Sequence, residues 1–459
     1  MTSLSFTELL KRGELRVAVI GLGRIGLPTA VAFAQAGAKV AGLDIDAGAV
    51  ASVNEGRCRF IDEPGLLEAL KATVASGRLK ATLDPSEALK GSHVYVICVP
   101  TPVDENKVPD YSAIISAAEN VGRYLSRGSL IAIESTVGPG DVEELIVPRL
   151  EASSGMEAGV DFHVASCPER ADPGRVLECL RTVPRVVGGL TKRCTKLAAE
   201  LYREVFKVGV VEVSSPKAAN AVKITENVFR DVNIALMNEL AMLYEKLGVD
   251  IFEVIRACST KWNFVPHYPS AGVGGPCLPA NPYYLISRGL KVGFIPYLVR
   301  VAREINDRMP EQVATLALKA LNAVGKTLKG GKVAILGLSY KPNVKDLQLS
   351  PSLRLVEILM EMGAQVSAYD PFFEGEPIPG RAGLRCASSI EEALKGTRCL
   401  IVATAHTSFK GLDLREASSL MERPPVVVDA VGLLDPNGLP AGIVYVGLGR
   451  ALHLGWREA

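Results

Sequence analysis

Short apolar runs punctuate the first half of the chain: RVAVI (16–20), AKVAGLD (38–44), HVYVICV (93–99), SLIAIEST (129–136) and FHVASCP (162–168). Each predicts a strand buried on both faces. Between the first two lies GLGRIGLPTAVAFAQAG, whose apolar spacing predicts a helix closing at Gly37. Strand alternating with helix predicts a parallel sheet with helices on both faces. After Ser215 the pattern changes. SPKAANAVKITENVFRDVNIALMNELAMLYEKL runs to Leu247 with Pro216 near its start and Gly248 just past its end, the marks of a single helix. At roughly thirty residues it is long for a surface helix and suits a span between domains or a subunit interface. From Gly331 the alternation returns in GKVAILGL, AQVSAYD, TRCLIVATA and PVVVDA. The halves echo one another: strand, glycine turn, helix, then a strand ending in Asp44 or Asp370.

Composition narrows the function classes. The 459 residues are 48% hydrophobic, enough for a sizeable core, and carry a net charge of +1. That balance gives no support for a nucleic-acid or membrane-surface role. MTSLSFTELLKRGELR has no apolar signal core, and no later stretch reaches ~18 apolar residues, so the chain reads as soluble and intracellular. Nine scattered cysteines without a CxxC pair exclude a disulfide framework and a zinc site. Most, Cys98 and Cys399 among them, read as inert core residues.

The candidate chemistry starts at Gly21-x-Gly23-x-x-Gly26, directly after a strand and opening a helix. Gly21 allows a tight turn, Gly23 lets a pyrophosphate approach the backbone, and Gly26 allows close helix–strand packing. Ile25 lies within the same turn. Phosphates then sit at a helix N-terminus. Asp44, ending the second strand, suits the ribose hydroxyls and repels a 2′-phosphate, which favours NAD over NADP. Pro100, Thr101 and Thr136 fall at later strand ends, on the edge where ligands bind in open α/β sheets. The prolines otherwise shape a loop, and Thr136 otherwise caps a helix. The second half lacks the full glycine pattern, so a mononucleotide suits it better.

Cys277 lies in GVGGPCLPAN (272–281). A glycine loop permits close approach to a ligand, and a thiol just before a helix N-terminus is nucleophilic near neutral pH. The plain alternative is a small residue in a turn. Lys223 and Asn227 share a helix face, and Glu226, Arg230 and Asn233 extend the polar positions. These form either a solvated stripe or a buried face lining a site. Glu169 and Arg170 follow a strand and read most simply as a surface ion pair.

Together these motifs resemble the UDP-glucose/GDP-mannose dehydrogenase family from about residue 16 to about residue 450. The markers are GLGRIGLPTA, VPTP, EST, CPER, KITENVFRDVNIALMNE, GVGGPCLPANPYYL and GLSYKPNVKDL. CPER-x-x-PGR, ENVFRDVNIA and GVGGPC look most like the branch acting on UDP-N-acetyl-D-mannosamine. UDP-N-acetylglucosamine, UDP-N-acetylgalactosamine and UDP-glucose are the alternatives, with a binding protein that has lost oxidation as another. The EPGL at 63–66 does not discriminate between branches. The resemblance implies an α/β fold of two Rossmann-like doubly wound domains joined by a long central helix, with the site in the cleft between them. The expected division is 1–213 for NAD, 214–325 for a dimerisation region bearing the cysteine loop, and 326–459 for the UDP-sugar. It implies Cys277 as nucleophile, Lys223 and Asn227 polarising the reacting oxygen, and Glu169 and Thr136 positioning or activating water. Arg170, Arg230, Gly274 and Lys341 join the substrate side. NAD, a UDP-sugar and a homodimer or higher homo-oligomer are the implied partners.

Two positions depart from the family pattern. Asn281 stands where an aspartate is usual, and asparagine is no general base. Gln348 stands where DLRESP carries an arginine, which removes a charge expected to help hold NAD.

Overall fold

The computed structural model describes residues 4–380 and 383–454. The chain divides into two compact units. The first takes in the chain up to Glu226 together with Tyr283–Ile295, and the second Asn227–Pro282 and the chain from Pro296 onward. Among the described residues no helix is long and apolar enough to cross a membrane.

The first unit is built on β1 (Arg16–Ile20), β2 (Lys39–Leu43), β3 (Leu79–Thr82), β4 (Val94–Ile97), β5 (Leu130–Ile133), β6 (His163–Ser166), β7 (Arg185–Gly189) and β8 (Val210–Glu212). Their order is β3-β2-β1-β4-β5-β6-β7-β8. All neighbours are parallel except β6 and β7. The apolar runs are continuous because both faces are covered. Val17, Val19, Val94 and Val96 enter one core, while Ala18, Ile20, Tyr95 and Ile97 enter the other. Strand order reverses between β1 and β4, so their carboxyl ends open a crevice.

The second unit repeats the plan with β9 (Lys332–Leu336), β10 (Gln365–Tyr369), β11 (Cys399–Val402), β12 (Val426–Asp429), β13 (Val444–Gly447) and β14 (His453–Leu454). The order is β10-β9-β11-β12-β13-β14, with only β14 antiparallel. Val333 and Ile335 face one core, Ala334 and Leu336 the other. The expected α/β class with two doubly wound sheets and a long linking helix is therefore what the chain adopts.

The long helix spans Pro216–Leu247, with polar side chains among its buried positions and apolar ones among its exposed positions. Asn220, Lys223, Asp231 and Asn238 are buried, while Phe229, Leu236, Leu243 and Leu247 are about half exposed or more. A helix of Tyr297–Asn322, with Pro310 inside it, follows later. It carries Arg303, fully buried against Asp231 at 2.6 Å.

Candidate active site

In the first unit the glycine loop has the shape a dinucleotide needs. Gly21 adopts φ +91°, and a Cβ there would meet the Cys98 carbonyl oxygen at 2.7 Å. A Cβ on Gly26 would lie 1.8 Å from the Gly21 carbonyl oxygen, whereas nothing lies within 4 Å of one on Gly23. The outer two glycines thus allow the turn and the packing, and the middle one leaves the space an approaching pyrophosphate requires. Ile25 caps the helix Gly26–Gln35 without a side-chain bond, leaving its first amides for a ligand. Asp44 accepts the Leu22 amide at 2.7 Å and the Asp46 amide at 2.9 Å and remains half-buried. The chain fits NAD on these grounds.

The β4 and β5 ends are tied together. Thr101 Oγ1 donates to the Thr136 carbonyl at 2.6 Å, and Ser135 Oγ donates to the Val99 carbonyl at 2.7 Å. Pro100 is exposed between them. Thr136 caps no helix; the next helical stretch begins at Val142, after Asp141. Tyr284, from the helix Asn281–Lys291, donates its hydroxyl to the Thr101 carbonyl. Arg288 of the same helix pairs with Asp141 at 3.1 Å and Glu144 at 2.5 Å.

The Glu169–Arg170 surface pair expected above does not form. Both neighbours turn to other partners. Glu169 is buried and pairs with Arg185, while the Arg170 guanidinium reaches Glu226 at 3.0 Å. Glu63 of the EPGL segment accepts the Gly174 and Val176 amides at 2.6 and 2.9 Å, fixing the loop after CPER.

On the long helix the five polar positions divide between the two readings: Lys223 is buried, Glu226, Asn227 and Asn233 are half-buried, and Arg230 is exposed. Lys223 is 8% exposed and Asn220, one turn earlier, is fully buried. Ser166 Oγ bonds Asn220 Oδ1 at 2.8 Å, and Asn220 Nδ2 has no hydrogen-bond partner among the described residues.

In the second unit, Asn227 Nδ2 donates to Asn281 Oδ1 at 2.5 Å. Asn281 is 2% exposed and opens its helix. The half-buried Cys277 sits just before it, and its carbonyl accepts the amides of Ala280 and Asn281 at 3.2 and 2.9 Å. The glycines preceding the thiol are accounted for by the chain itself. A Cβ on Gly274 would lie 2.7 Å from the Leu349 carbonyl oxygen, and one on Gly275 would lie 2.6 Å from the Tyr340 ring. Gly275 also donates its amide to the Gln348 carbonyl at 2.9 Å, while the Gln348 residue itself is exposed. Lys341 follows Tyr340 in this facing loop and is half-buried.

The expectation that most cysteines are inert core residues needs narrowing. Cys167, Cys194, Cys386 and Cys399 are buried, and the other five are half-buried. Burial pushes the Cys167 thiol up to about 12. Cys194 runs the other way. Burial opposes ionisation there too, but His163 and Thr191 outweigh it and bring the thiol down to about 7.

The sequence reading missed Arg185, Tyr284, Arg288 and Arg303. Each is one charged or phenolic side chain in an otherwise ordinary segment. Only the charge opening the apolar run RVVGG offered a signal.

Residues 15–206, 217–308 and 334–436 match, in turn, the NAD binding, central and UDP binding domains of the UDP-glucose/GDP-mannose dehydrogenase family. The chain is 38% identical over 95% of its length to UDP-N-acetyl-D-mannosamine dehydrogenase of Pyrococcus horikoshii, covering 99% of that protein. It is 36% identical over 92% of its length to UDP-N-acetyl-D-glucosamine 6-dehydrogenase of Pseudomonas aeruginosa, covering 98% of it. The solved structure of a UDP-D-ManNAc dehydrogenase from Pyrococcus horikoshii superposes with a TM-score of 0.88 at 37% identity, covering 95% of this chain and 99% of that one.

Proposed function

The chain belongs to the UDP-glucose/GDP-mannose dehydrogenase family, and from that premise we propose that it oxidises C6 of UDP-N-acetyl-D-mannosamine to the uronate. The observation carrying this reading is the retained Cys277, half-buried in a loop that leads into a helix N-terminus. A protein that only bound nucleotide sugar has no use for such a thiol.

The overall change is R–CH2OH + 2 NAD+ + H2O → R–COO− + 2 NADH + 3 H+. When bound, NAD supplies the hydride acceptor; the residues supply geometry and charge. Lys223 places an ammonium against the oxygen that becomes anionic as the alcohol turns into aldehyde, with Asn227 beside it on the helix. The Cys277 sulfur adds to the aldehyde carbon as a thiohemiacetal and holds the reactive intermediate until it becomes a thioester. Water then releases the carboxylate and returns the thiol. Thr136 and Glu169 act on that water. Arg170, Arg230, Gly274 and Lys341 are assigned to the substrate side, and the three-part division at 213/214 and 325/326 is kept. The exposed apolar stripe Phe229, Leu236, Leu243 and Leu247 supports a homodimer, with a monomer by light scattering at micromolar concentration as the contrary result.

A second reading takes UDP-N-acetyl-D-glucosamine as substrate, because the Pseudomonas aeruginosa relative named for it is nearly as similar. The experiment is incubation with NAD and separate UDP-sugars, following NADH per sugar. Two NADH per UDP-N-acetylmannosamine, lost in Cys277→Ala, is the expected result. A higher kcat/KM for the glucosamine epimer favours the second reading. Binding of UDP-sugars without NADH from any of them rejects both.

A further inference from the structure

Beneath the carboxyl ends of β5 and β6 lies a buried charge group of which the proposed reaction uses Glu169 alone. Arg185 opens β7, yet its side chain is 3% exposed. Its guanidinium pairs with Glu134 at 2.9 Å on one side and with Glu169 on the other. It lies 5.3 Å from the Tyr202 ring centre and 4.9 Å from that of Phe206. Glu134 is anchored in turn by Tyr202 Oη at 2.7 Å and Thr29 Oγ1 at 3.2 Å. The guanidinium therefore has no room to swing. Apolar side chains of the same volume usually fill such a space at no loss of stability, so stability alone is a weak account of the cluster.

The hydrogen bonds on Glu169 suggest a better one. Its Oε1 accepts the Arg170 amide at 2.6 Å and the Ala171 amide at 2.7 Å, and its Oε2 accepts from Arg185. An ionised carboxylate offers about four acceptor positions. Three are filled by this chain, which leaves one, on Oε2.

We propose that Arg185 is a positioning residue for thioester hydrolysis, fixing Glu169 as an anion whose single remaining acceptor position orients the attacking water without removing its proton. The inference rests on the function proposed above. In the step, the water oxygen bonds to the thioester carbonyl carbon, and the C–S bond breaks with its electron pair passing to the Cys277 sulfur. One water proton goes to that sulfur and the other to solvent, leaving the carboxylate. Glu169 ends as it began. The assignment agrees with Asn281, whose amide likewise cannot serve as a general base near neutral pH.

The test uses Arg185→Lys and Arg185→Met in the full chain. In Arg185→Lys the cation stays but the fork is lost. The first NADH and the KM for the UDP-sugar are expected to hold, while hydrolysis slows roughly 10- to 100-fold and the thioester accumulates on Cys277 by intact mass. In Arg185→Met an infrared carbonyl band of a protonated carboxylic acid is expected near neutral pH, absent in wild type and removed again by Glu169→Gln. A folded Arg185→Lys protein that hydrolyses the thioester at the wild-type rate overturns the proposal. So does a variant in which hydride transfer, hydrolysis and melting temperature fall together, since that marks a structural role. If the wild type makes no NADH, the functional reading fails by itself. The infrared band needs no turnover, and its absence from folded Arg185→Met then rejects the link between Arg185 and Glu169.

Discussion

The two α/β units start alike and diverge within two residues. Each first strand ends in a glycine of the same backbone hand, Gly21 at φ +91° and Gly337 at φ +92°. Each second strand ends in an aspartate that accepts the next amide, Leu22 to Asp44 at 2.7 Å and Leu338 to Asp370 at 2.8 Å. Then the first loop places Gly23 in open space and starts a helix at Gly26. The second places Ser339, whose amide and hydroxyl both bond Asp370 at 2.8 and 2.9 Å, and delays its helix to Pro351. His406 Nε2 lies 3.1 Å from Asp370 as well. Asp370 is fully buried and its oxygens are occupied by its own loop, whereas Asp44 is half-buried with capacity left. One topology thus yields an acid with acceptor capacity left in one unit and a loop-locking acid in the other, and the residue two places after the first glycine separates them.

Substitutions can break this contrast. The largest effect is expected at Gly26→Ala, where the added carbon overlaps a backbone oxygen. Overpacking of this kind costs about 1–3 kcal/mol, so NAD affinity by calorimetry should fall by up to roughly 100-fold. Asp44→Asn comes next, weakening NAD by about 10-fold as a charge-assisted hydrogen bond is lost and narrowing its advantage over NADP. Asp370→Asn should leave NAD affinity unchanged while lowering stability by about 2 kcal/mol in denaturant titration. Burial alone would raise the Asp370 carboxyl, but His406 and the Phe372 and Ser339 amides outweigh it and hold it below its usual value. That contribution is present above the unfolded value of 3.8 and is lost as pH falls through the lower folded one. Acidification below about pH 4 should therefore destabilise wild type more than Asp370→Asn. The smallest effect is expected for Gln348→Arg, which restores a charge usual in the family and should improve the KM for NAD by a few-fold at most, as exposed charges do.

The sheets and the long helix were readable because their signals are local. A strand covered on both faces is an unbroken apolar run, and nine of the strands were found that way. The strands β3, β7, β8, β13 and β14 escaped. LKAT alternates weakly, VVE is short, and RVVGG carries a charge where an apolar residue was expected. In the glycine loop the turn at Gly21 and the close packing at Gly26 were legible, since both are set by the backbone. The partners of Glu169 were not, because Arg185 lies sixteen residues away and meets it only through the antiparallel turn from β6 to β7. The same limit hid which polar residues of the long helix are buried: spacing assigns residues to a face without saying which face is covered.

The path of the chain carries one more consequence. The first unit closes only when Tyr283–Ile295 returns to it, bringing Tyr284 to the Thr101 carbonyl and Arg288 to Asp141. A gene fragment stopping at Glu226 would encode every cofactor motif yet lack that helix. The cofactor half is thus not a cassette that recombination can lift out in one cut. A shuffled descendant has to inherit Tyr283–Ile295 as well to keep the Thr101 loop braced.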